Sequence, residues 1–256
     1  GYNIYSSGYS LKYLKAGQPI DQMRGYVYEG TWKESERAAA LAYGQLPGDP
    51  KWKDVDHDGK ITRNGDGNQV IGNATPKFIY GWNNSFTYKN FDLAFLIQGT
   101  YGNDIFNAVR IKTENPANGT SKNLNARWTS SNQNTPVPAF IDSRTRTAEL
   151  SGHPSGIFIG VDNRSSRWVE KGSYMRLKNI TLTYNVPGPA LKRLGISRLS
   201  VYATGANLVT ITQYSGYDPE VSSFNRGARV RAGGLGIDLS NYPSAKSVIL
   251  GLNLTF

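Results

Sequence analysis

Ser247-Val248-Ile249-Leu250-Gly251-Leu252-Asn253-Leu254-Thr255-Phe256 alternates in polarity and ends on an aromatic ring. Side chains of a strand point to opposite faces in turn, so Val248, Leu250, Leu252, Leu254 and Phe256 share one side. Ser247, Gly251, Asn253 and Thr255 share the other, with Ile249 the exception. One face is fully apolar and the other small and polar. A transmembrane β-strand needs about 9–11 residues, and this stretch fits. Its five even-numbered apolar residues are therefore expected to face lipid, as in the closing strand of a membrane barrel.

Composition is compatible with that reading. The 256 residues are 38% hydrophobic, the mean hydropathy is −0.47, and no apolar run approaches the ~18 residues of a membrane helix. A helical membrane protein is excluded; a barrel is not, because its strands are only half apolar. Tyr 16, Trp 5 and Gly 28, with abundant Asn, Ser and Thr, favour an all-β protein with long connections. Cys 0 removes disulfides, thiolate metal sites and a cysteine nucleophile. The net charge of +10 is spread through connections (Arg144, Arg146, Arg164, Arg167, Arg226, Arg229, Arg231) without a compact basic helix. Solvated charge near an anionic surface explains it better than nucleic-acid binding, so no nucleic-acid partner is expected. Gly1-Tyr2-Asn3-Ile4 has neither the charged nor the apolar region of a signal peptide. The expectation is a processed chain or a piece of a longer one.

Working back from residue 247, the same period recurs. Phe78, Tyr80, Trp82, Phe86 and Tyr88 alternate with Ile79, Gly81, Asn83, Ser85 and Thr87. Lys89-Asn90 reads as a tight polar turn, and Phe91, Leu93, Phe95, Ile97 and Tyr101 resume the pattern. Two strands joined by two residues are antiparallel. In 173–185, Ile180, Leu182 and Tyr184 share a face, while upstream the apolar phase moves to Met175 and Leu177. A bulge near Lys178, or a strand leaving the membrane, accounts for the shift. Pro187-Gly188-Pro189 breaks this strand, and residues 190–195 are expected to hold a helical turn. The strand at 197–208 is less clean, because Leu199, Val201 and Tyr202 compete for its apolar face.

Short links at 89–90 and 186–197 alternate with long ones at 102–172 and 209–245. Membrane barrels combine short periplasmic turns with long outer loops. If the final strand runs inward, the directions of 198–208, 174–185, 91–101 and 77–88 follow in alternation. A further outward strand before 77 is then expected, from Gly25–Tyr28 or from the region of Tyr2–Tyr13. Residues 156–161 with 167–169 could form another hairpin. The total is about six strands, whereas closed membrane barrels start at about eight. Open edges have no partners in lipid, so the chain is expected to be part of a larger barrel.

Several stretches resemble SusC/RagA-type TonB-dependent transporters. They are Asp54-Val55-Asp56-His57-Asp58-Gly59-Lys60-Ile61, Val70-Ile71-Gly72-Asn73-Ala74-Thr75-Pro76-Lys77-Phe78 and Tyr88-Lys89-Asn90-Phe91-Asp92-Leu93. Gly172-Ser173-Tyr174-Met175-Arg176-Leu177-Lys178-Asn179-Ile180-Thr181-Leu182, Asn207-Leu208 and Tyr214-Ser215-Gly216-Tyr217-Asp218-Pro219-Glu220 follow, and Tyr242-Pro243 and Phe256 close the series. The resemblance implies that residues 1–256 are the C-terminal strands of a large, roughly 22-stranded antiparallel transmembrane β-barrel with long extracellular loops, a size class whose lumen needs a plug. The plug and the N-terminal strands would lie outside this chain. It further implies import of oligosaccharides or peptides across the bacterial cell outer membrane. The implied partners are the rest of the barrel and plug, a SusD-like surface lipoprotein, TonB through the N-terminal part, and outer-membrane lipid.

Asp54, Asp56, Asp58 and Gly59 resemble the start of a calcium loop, where alternate carboxylates converge on a hard cation. Lys60 would add its carbonyl and Thr62 its side chain. Position twelve is Gly65, with Asp66 one residue late. The competing reading is an acidic turn held by its own hydrogen bonds. Trp82, Tyr80, Tyr88, Tyr101, Tyr184 and Phe256 are expected as aromatic girdles, and Trp128, Trp168, Tyr214 and Tyr217 as contacts to a ligand or partner.

No catalytic constellation emerges. Asp218 and Glu220 read as turn or hinge acids rather than a glycosidase pair. Gly152-His153-Pro154-Ser155-Gly156 has its serine one position late for a nucleophile elbow, and Gly233-Gly234-Leu235-Gly236 follows no βα pattern. His57 and His153 give a triad little material. The expectation is a non-enzyme, with a secreted, glycan-binding β-sandwich as the rival reading.

Overall fold

The computed structural model describes residues 2–3, 10–12, 16–115, 119–153, 164–191, 195–221 and 235–256. Its strands are β1 (Tyr2–Asn3), β2 (Ser10–Lys12), β3 (Gln22–Gly25), β4 (Tyr28–Thr31), β5 (Pro50–Trp52), β6 (Gln69–Asn73), β7 (Phe78–Tyr88), β8 (Phe91–Tyr101), β9 (Asp104–Asn107), β10 (Val169–Lys171), β11 (Tyr174–Asn185), β12 (Arg198–Thr212), β13 (Ile237–Asp238) and β14 (Ser247–Thr255). Short helices are α1 (Arg37–Ala42), α2 (Ala108–Thr113), α3 (Ser143–Glu149) and α4 (Gly188–Leu191). Two compact units result: one of residues 76–103, 171–220 and 241–256, the other of residues 1–75, 104–170 and 221–240.

The first unit is a five-stranded sheet in the order β14-β12-β11-β8-β7, antiparallel at every pairing. The β7–β8 hairpin turns through Lys89-Asn90 as expected. Lys89 adopts a φ of 55°, the sign a primed two-residue turn requires at its first central position. Opposed residues of an antiparallel pair lie on the same face, so the register decides which side chains assemble. Leu252 faces Val201 and Leu250 faces Ala203. Val201 faces Tyr184, Ala203 faces Leu182, and those face Phe91 and Leu93, which face Tyr88 and Phe86. One apolar face thus runs unbroken across all five strands.

The phase shift at Met175 and Leu177 is a bulge. The register of β11 slips between Leu177 and Asn179 against both neighbours. One extra residue at Lys178 returns Leu177 and Met175 to the side of Ile180 and Leu182. β12 answers with its own irregularity, where Asn207 takes a φ of 52°, and continues to Thr212. That is four residues beyond the expected end, because Val209 and Ile211 still alternate and pair with Leu177 and Met175. The ambiguity within 197–208 resolves as Leu199, Val201 and Ala203 on the apolar face. Tyr202 goes to the opposite face, where its ring covers Gly251.

The expected sixth strand is not in this sheet. Residues 25–28 and the described parts of 2–13 fall in the second unit, where β1, β2, β3 and β6 form their own sheet. Met23 and Tyr26 are completely buried there, so this region packs a core instead of presenting one apolar face. The suggested partner segment 156–161 lies outside the described residues; residues 166–168 form a 3-10 turn leading into β10. Residues 188–191 supply the helical turn expected near 190–195.

The described parts of the long connections are folded rather than open. One core joins Leu11, Met23, Ala74, Phe106, Ala108, Trp168 and Ile237, which come from all three long stretches outside the sheet. A second joins Tyr26, Trp52 and Ile61. Parallel pairing of β13 with β9 brings Ile237 beside Phe106, and close packing of Gly236 against Ala74 leaves no room for a Cβ.

Gly251→Val is expected to cost about 1–3 kcal/mol by driving a side chain into the Tyr202 ring, whereas Gly81→Val, which meets nothing within 4 Å, should be tolerated. Chemical denaturation followed by tryptophan fluorescence compares the two, and equal midpoints would contradict this packing.

Candidate functional site

The apolar face of the sheet is a large unpartnered surface among the described residues. Leu250 is 77% exposed, Val248 70%, Leu252 64% and Phe256 84%. Side chains of this kind on one contiguous face mark an interaction surface. A β-sandwich would bury such a face under a second sheet about 10 Å away; among the described residues no sheet covers it. Aromatic rings mark both ends of this face, and Trp82, Phe86 and Phe95 lie between them. Phe78 stacks on Tyr101 at 5.0 Å at one end, with Tyr80 beside them. Phe91 meets Tyr184 at 4.8 Å at the other, level with Tyr88. Trp82 packs edge-on against Phe95 at 5.2 Å, nearer the middle. Between the rows lie Leu93, Leu182, Ala203 and Leu250.

The opposite face is polar and internally paired. Thr181 and Thr204 hydroxyls are 2.9 Å apart. Asp92 accepts from Thr87 and from the Asn185 amide, each at 2.6 Å.

In the second unit, the acidic loop brings the carboxylates of Asp54, Asp56 and Asp58 within 4.8 Å of one another. Gly59, at φ 76°, makes the sharp turn of the loop in a conformation that favours glycine. The Gly59 N–H donates to Asp54 at 2.9 Å and the Tyr43 hydroxyl at 3.0 Å. Asp58 accepts from the Lys60 N–H at 2.8 Å. Asp66 stands apart: it is fully buried, and its two oxygens accept the N–H groups of Val55 and Thr62, each at 2.7 Å. It braces the loop from inside. Desolvation, then the negative charges of Asp58 and Asp66, push the Asp56 carboxyl up. Desolvation opposes the charge on Asp54 too, but the hydrogen bonds from Gly59 and Tyr43 prevail and hold that carboxyl down.

Of the aromatic residues expected to touch a ligand, Trp168 and Tyr214 are buried at 7% and 5% exposure and serve packing instead. Trp128 is half-buried and lies against Gly48. Only Tyr217 of the four, at 78%, is open to solvent.

A buried ionic cluster escaped the sequence reading. Glu114, 1% exposed, accepts from Arg110 Nε at 2.7 Å, Asn123 Nδ2 at 2.8 Å and Arg167 Nη2 at 3.2 Å. Arg110 also reaches Glu170 at 3.0 Å, and Arg167 lies over the Trp168 ring at 4.3 Å. The i, i+4 spacing of Arg110 and Glu114 was visible in the sequence; their burial was not. Desolvation alone would raise the Glu114 carboxyl, but the donors from Arg110 and Asn123 prevail and hold it below its ordinary value. Nearby, burial pushes the Tyr28 hydroxyl up to about 12.

No family profile matches the chain. Curated proteins do. TonB-dependent receptor P3 of Formosa agariphila is 32% identical over 247 residues, 95% of this chain and 23% of that protein. TonB-dependent receptor SusC of Bacteroides thetaiotaomicron is 29% identical over 209 residues, 77% of this chain and 17% of that one. Among solved structures, the RagAB peptide importer in its open-open state superposes with a TM-score of 0.67 at 22% identity, over 100% of this chain and 25% of that one. Its closed-closed state gives 0.66 at 23%. The resemblance to SusC/RagA-type TonB-dependent transporters therefore holds in both sequence and fold. The chain spans about a quarter of the length of the P3 receptor. The curated relatives are named as TonB-dependent receptors, in line with the expectation of a non-enzyme.

Glu114→Gln is expected to cost about 3–5 kcal/mol, because it leaves the largely buried Arg167 without its counter-charge and Arg110 with Glu170 alone. Glu114 has a lowered folded value, so its contribution is present above the ordinary carboxylate range and is lost as pH falls through that lowered value. Acid unfolding measured by circular dichroism should therefore lose part of its steepness in the variant. An unchanged profile would show that Glu114 is not carrying this linkage.

Proposed function

We propose that this chain is the C-terminal part of the barrel wall of an outer-membrane nutrient importer of the SusC/RagA type. The carrying observation is the continuous apolar face with rings at both ends. From the Phe78 row to the Tyr88 row, the 11 residues of β7 rise roughly 33 Å, which at a tilt of about 40° covers roughly 25 Å of membrane thickness. That is the height of the lipid-facing band of outer-membrane barrels. Val248, Leu250, Leu252, Leu254 and Phe256 face lipid in this reading, and the polar face lines the lumen, toward the plug. Edge strands β7 and β14 pair with further strands of a roughly 22-stranded barrel, since unpaired backbone groups are not tolerated in hydrocarbon.

Cargo enters as an oligosaccharide or a peptide, with a SusD-like lipoprotein over the outer loops and energy delivered through TonB. The names of the relatives support this, and no bond-breaking group is required of the wall. Leu250→Arg and Leu252→Arg are each expected to cost about 2–4 kcal/mol if they lie near the bilayer midplane, whereas Asn253→Lys, on the opposite face, should be mild. Heat-modifiable electrophoresis of outer-membrane fractions reads the folded barrel. Equal yields for all three variants, or a chain that is soluble without detergent, would overturn the assignment.

The acidic loop supports a second, local reading: Asp54, Asp56 and Asp58 hold a calcium ion, with the Lys60 carbonyl as a further ligand. The proximity of three carboxylates supports it, since a divalent cation would relieve their mutual repulsion. Asp66 then acts behind the ligands. Calcium should raise the melting temperature at neutral pH, and Asp56→Asn should abolish the effect. Without calcium, Asp56 by itself contributes stability at low pH that is lost as pH rises through its raised value, while the lowered Asp54 contributes in the opposite sense. A calorimetric titration without heat or stoichiometry at this loop would exclude the ion.

A further inference from the structure

Arg176 lies on the polar face of β11, opposite Gln98 of β8 and Thr210 of β12. Its side chain is 3% exposed, unusual for an arginine unless fully paired. Every branch of the guanidinium is used. Nε donates to Thr210 Oγ1 at 2.9 Å. Nη2 donates to Asp218 Oδ1 at 2.6 Å, and Nη1 to Glu220 Oε2 at 3.0 Å and Ser244 Oγ at 3.2 Å. Asp218 also accepts the Ser244 N–H at 2.8 Å. Glu220 accepts from the Tyr174 hydroxyl at 2.7 Å and the Gln98 amide at 2.9 Å. Lys178, 3.5 Å from Glu220, balances the charge: two cations meet two carboxylates.

These partners come from both ends of one connection. Residues 213–220 follow β12, and residues 241–246 precede β14. A single arginine therefore joins the start and the end of that connection to the sheet, on the polar side only. The other end of the same face, around Asn83, Ser85 and Thr87, is exposed. Beside the clamp, on the two held ends, stand Tyr217 and Tyr242, at 78% and 96% exposure.

We propose that Arg176 is a positioning residue that holds residues 213–220 and 241–246 as a ledge on the inner wall of the import path, narrowing it. This rests on the barrel reading above, in which the polar face is the lumen side. Removing the guanidinium leaves the buried Asp218 carboxylate without its counter-charge and takes one donor from Glu220, and the ledge separates from the wall. Lysine, a point charge without the planar fork, can serve only part of the set.

The chain has no cysteine, so Tyr217→Cys gives a single reporter here, placed in the intact transporter with any other cysteines replaced. The probes are a small membrane-impermeant maleimide and a bulky polyethylene-glycol maleimide, applied to whole cells. With Arg176 present, the small reagent should label the introduced thiol much faster than the bulky one. Arg176→Ala should raise the bulky reagent's rate by at least about tenfold, the change expected when a buried ion pair is broken and the segment opens locally. Arg176→Lys should fall between, and vancomycin sensitivity should rise in the same order. Heat-modifiable electrophoresis checks that each barrel has assembled; if Arg176→Ala does not assemble, Arg176→Lys carries the comparison. Equal rates for both reagents in an assembled barrel that keeps Arg176, or no change on substitution, would overturn the ledge. A wild-type protein that forms no barrel would instead defeat the reading on which it rests.

Discussion

Antiparallel register is the constraint on which everything else here depends. Directly opposed residues share a face, so each pairing in the β14-β12-β11-β8-β7 sheet either extends the apolar surface or destroys it. The register is kept through Leu252–Val201–Tyr184–Phe91–Tyr88 without a break. The extra residue at Lys178 is the one adjustment that β11 needs, and β12 compensates at Asn207. Without these bulges, Met175 and Leu177 would turn to the polar side and Arg176 to the apolar side. A single inserted residue thus determines both the apolar face and the position of the buried arginine.

The two units are stabilised by different physics. In the sheet, backbone pairing and cross-strand rings dominate, and the apolar face is left exposed. The other unit buries its own apolar residues, Met23, Phe106 and Trp168 among them. It also buries charge: Glu114 with Arg110 and Arg167, and Lys12 with Asp21 at 2.6 Å. Buried ion pairs add little net stability, but breaking one is costly. They therefore specify which segments meet more than they hold them together.

The strands were legible because each carries its period locally. Phe78 to Tyr88 and Phe91 to Tyr101 name their own faces, and Lys89-Asn90 names its turn. The bulge at Lys178 was legible as a phase error. The fate of the long stretches was not, because their packing depends on residues far apart in sequence. Ile237 meets Phe106, and Tyr26 hydrogen-bonds through its N–H to the Arg164 carbonyl at 2.9 Å. No local pattern announces such pairs. Trp168 was read as a surface contact for the same reason: nothing near it in sequence shows that it is buried beneath Arg167.

Alternation by itself determined which residues share a face, where the tight turn falls, and that neighbouring strands run in opposite directions. These follow from a two-residue period and short links, which need no knowledge of distant residues. Only the tertiary structure decided that residues 22–28 leave the sheet, that Asp66 braces the acidic loop from within, and that Arg176 joins both ends of one connection. Burial and charge pairing are sums over segments that the chain brings together only when it folds.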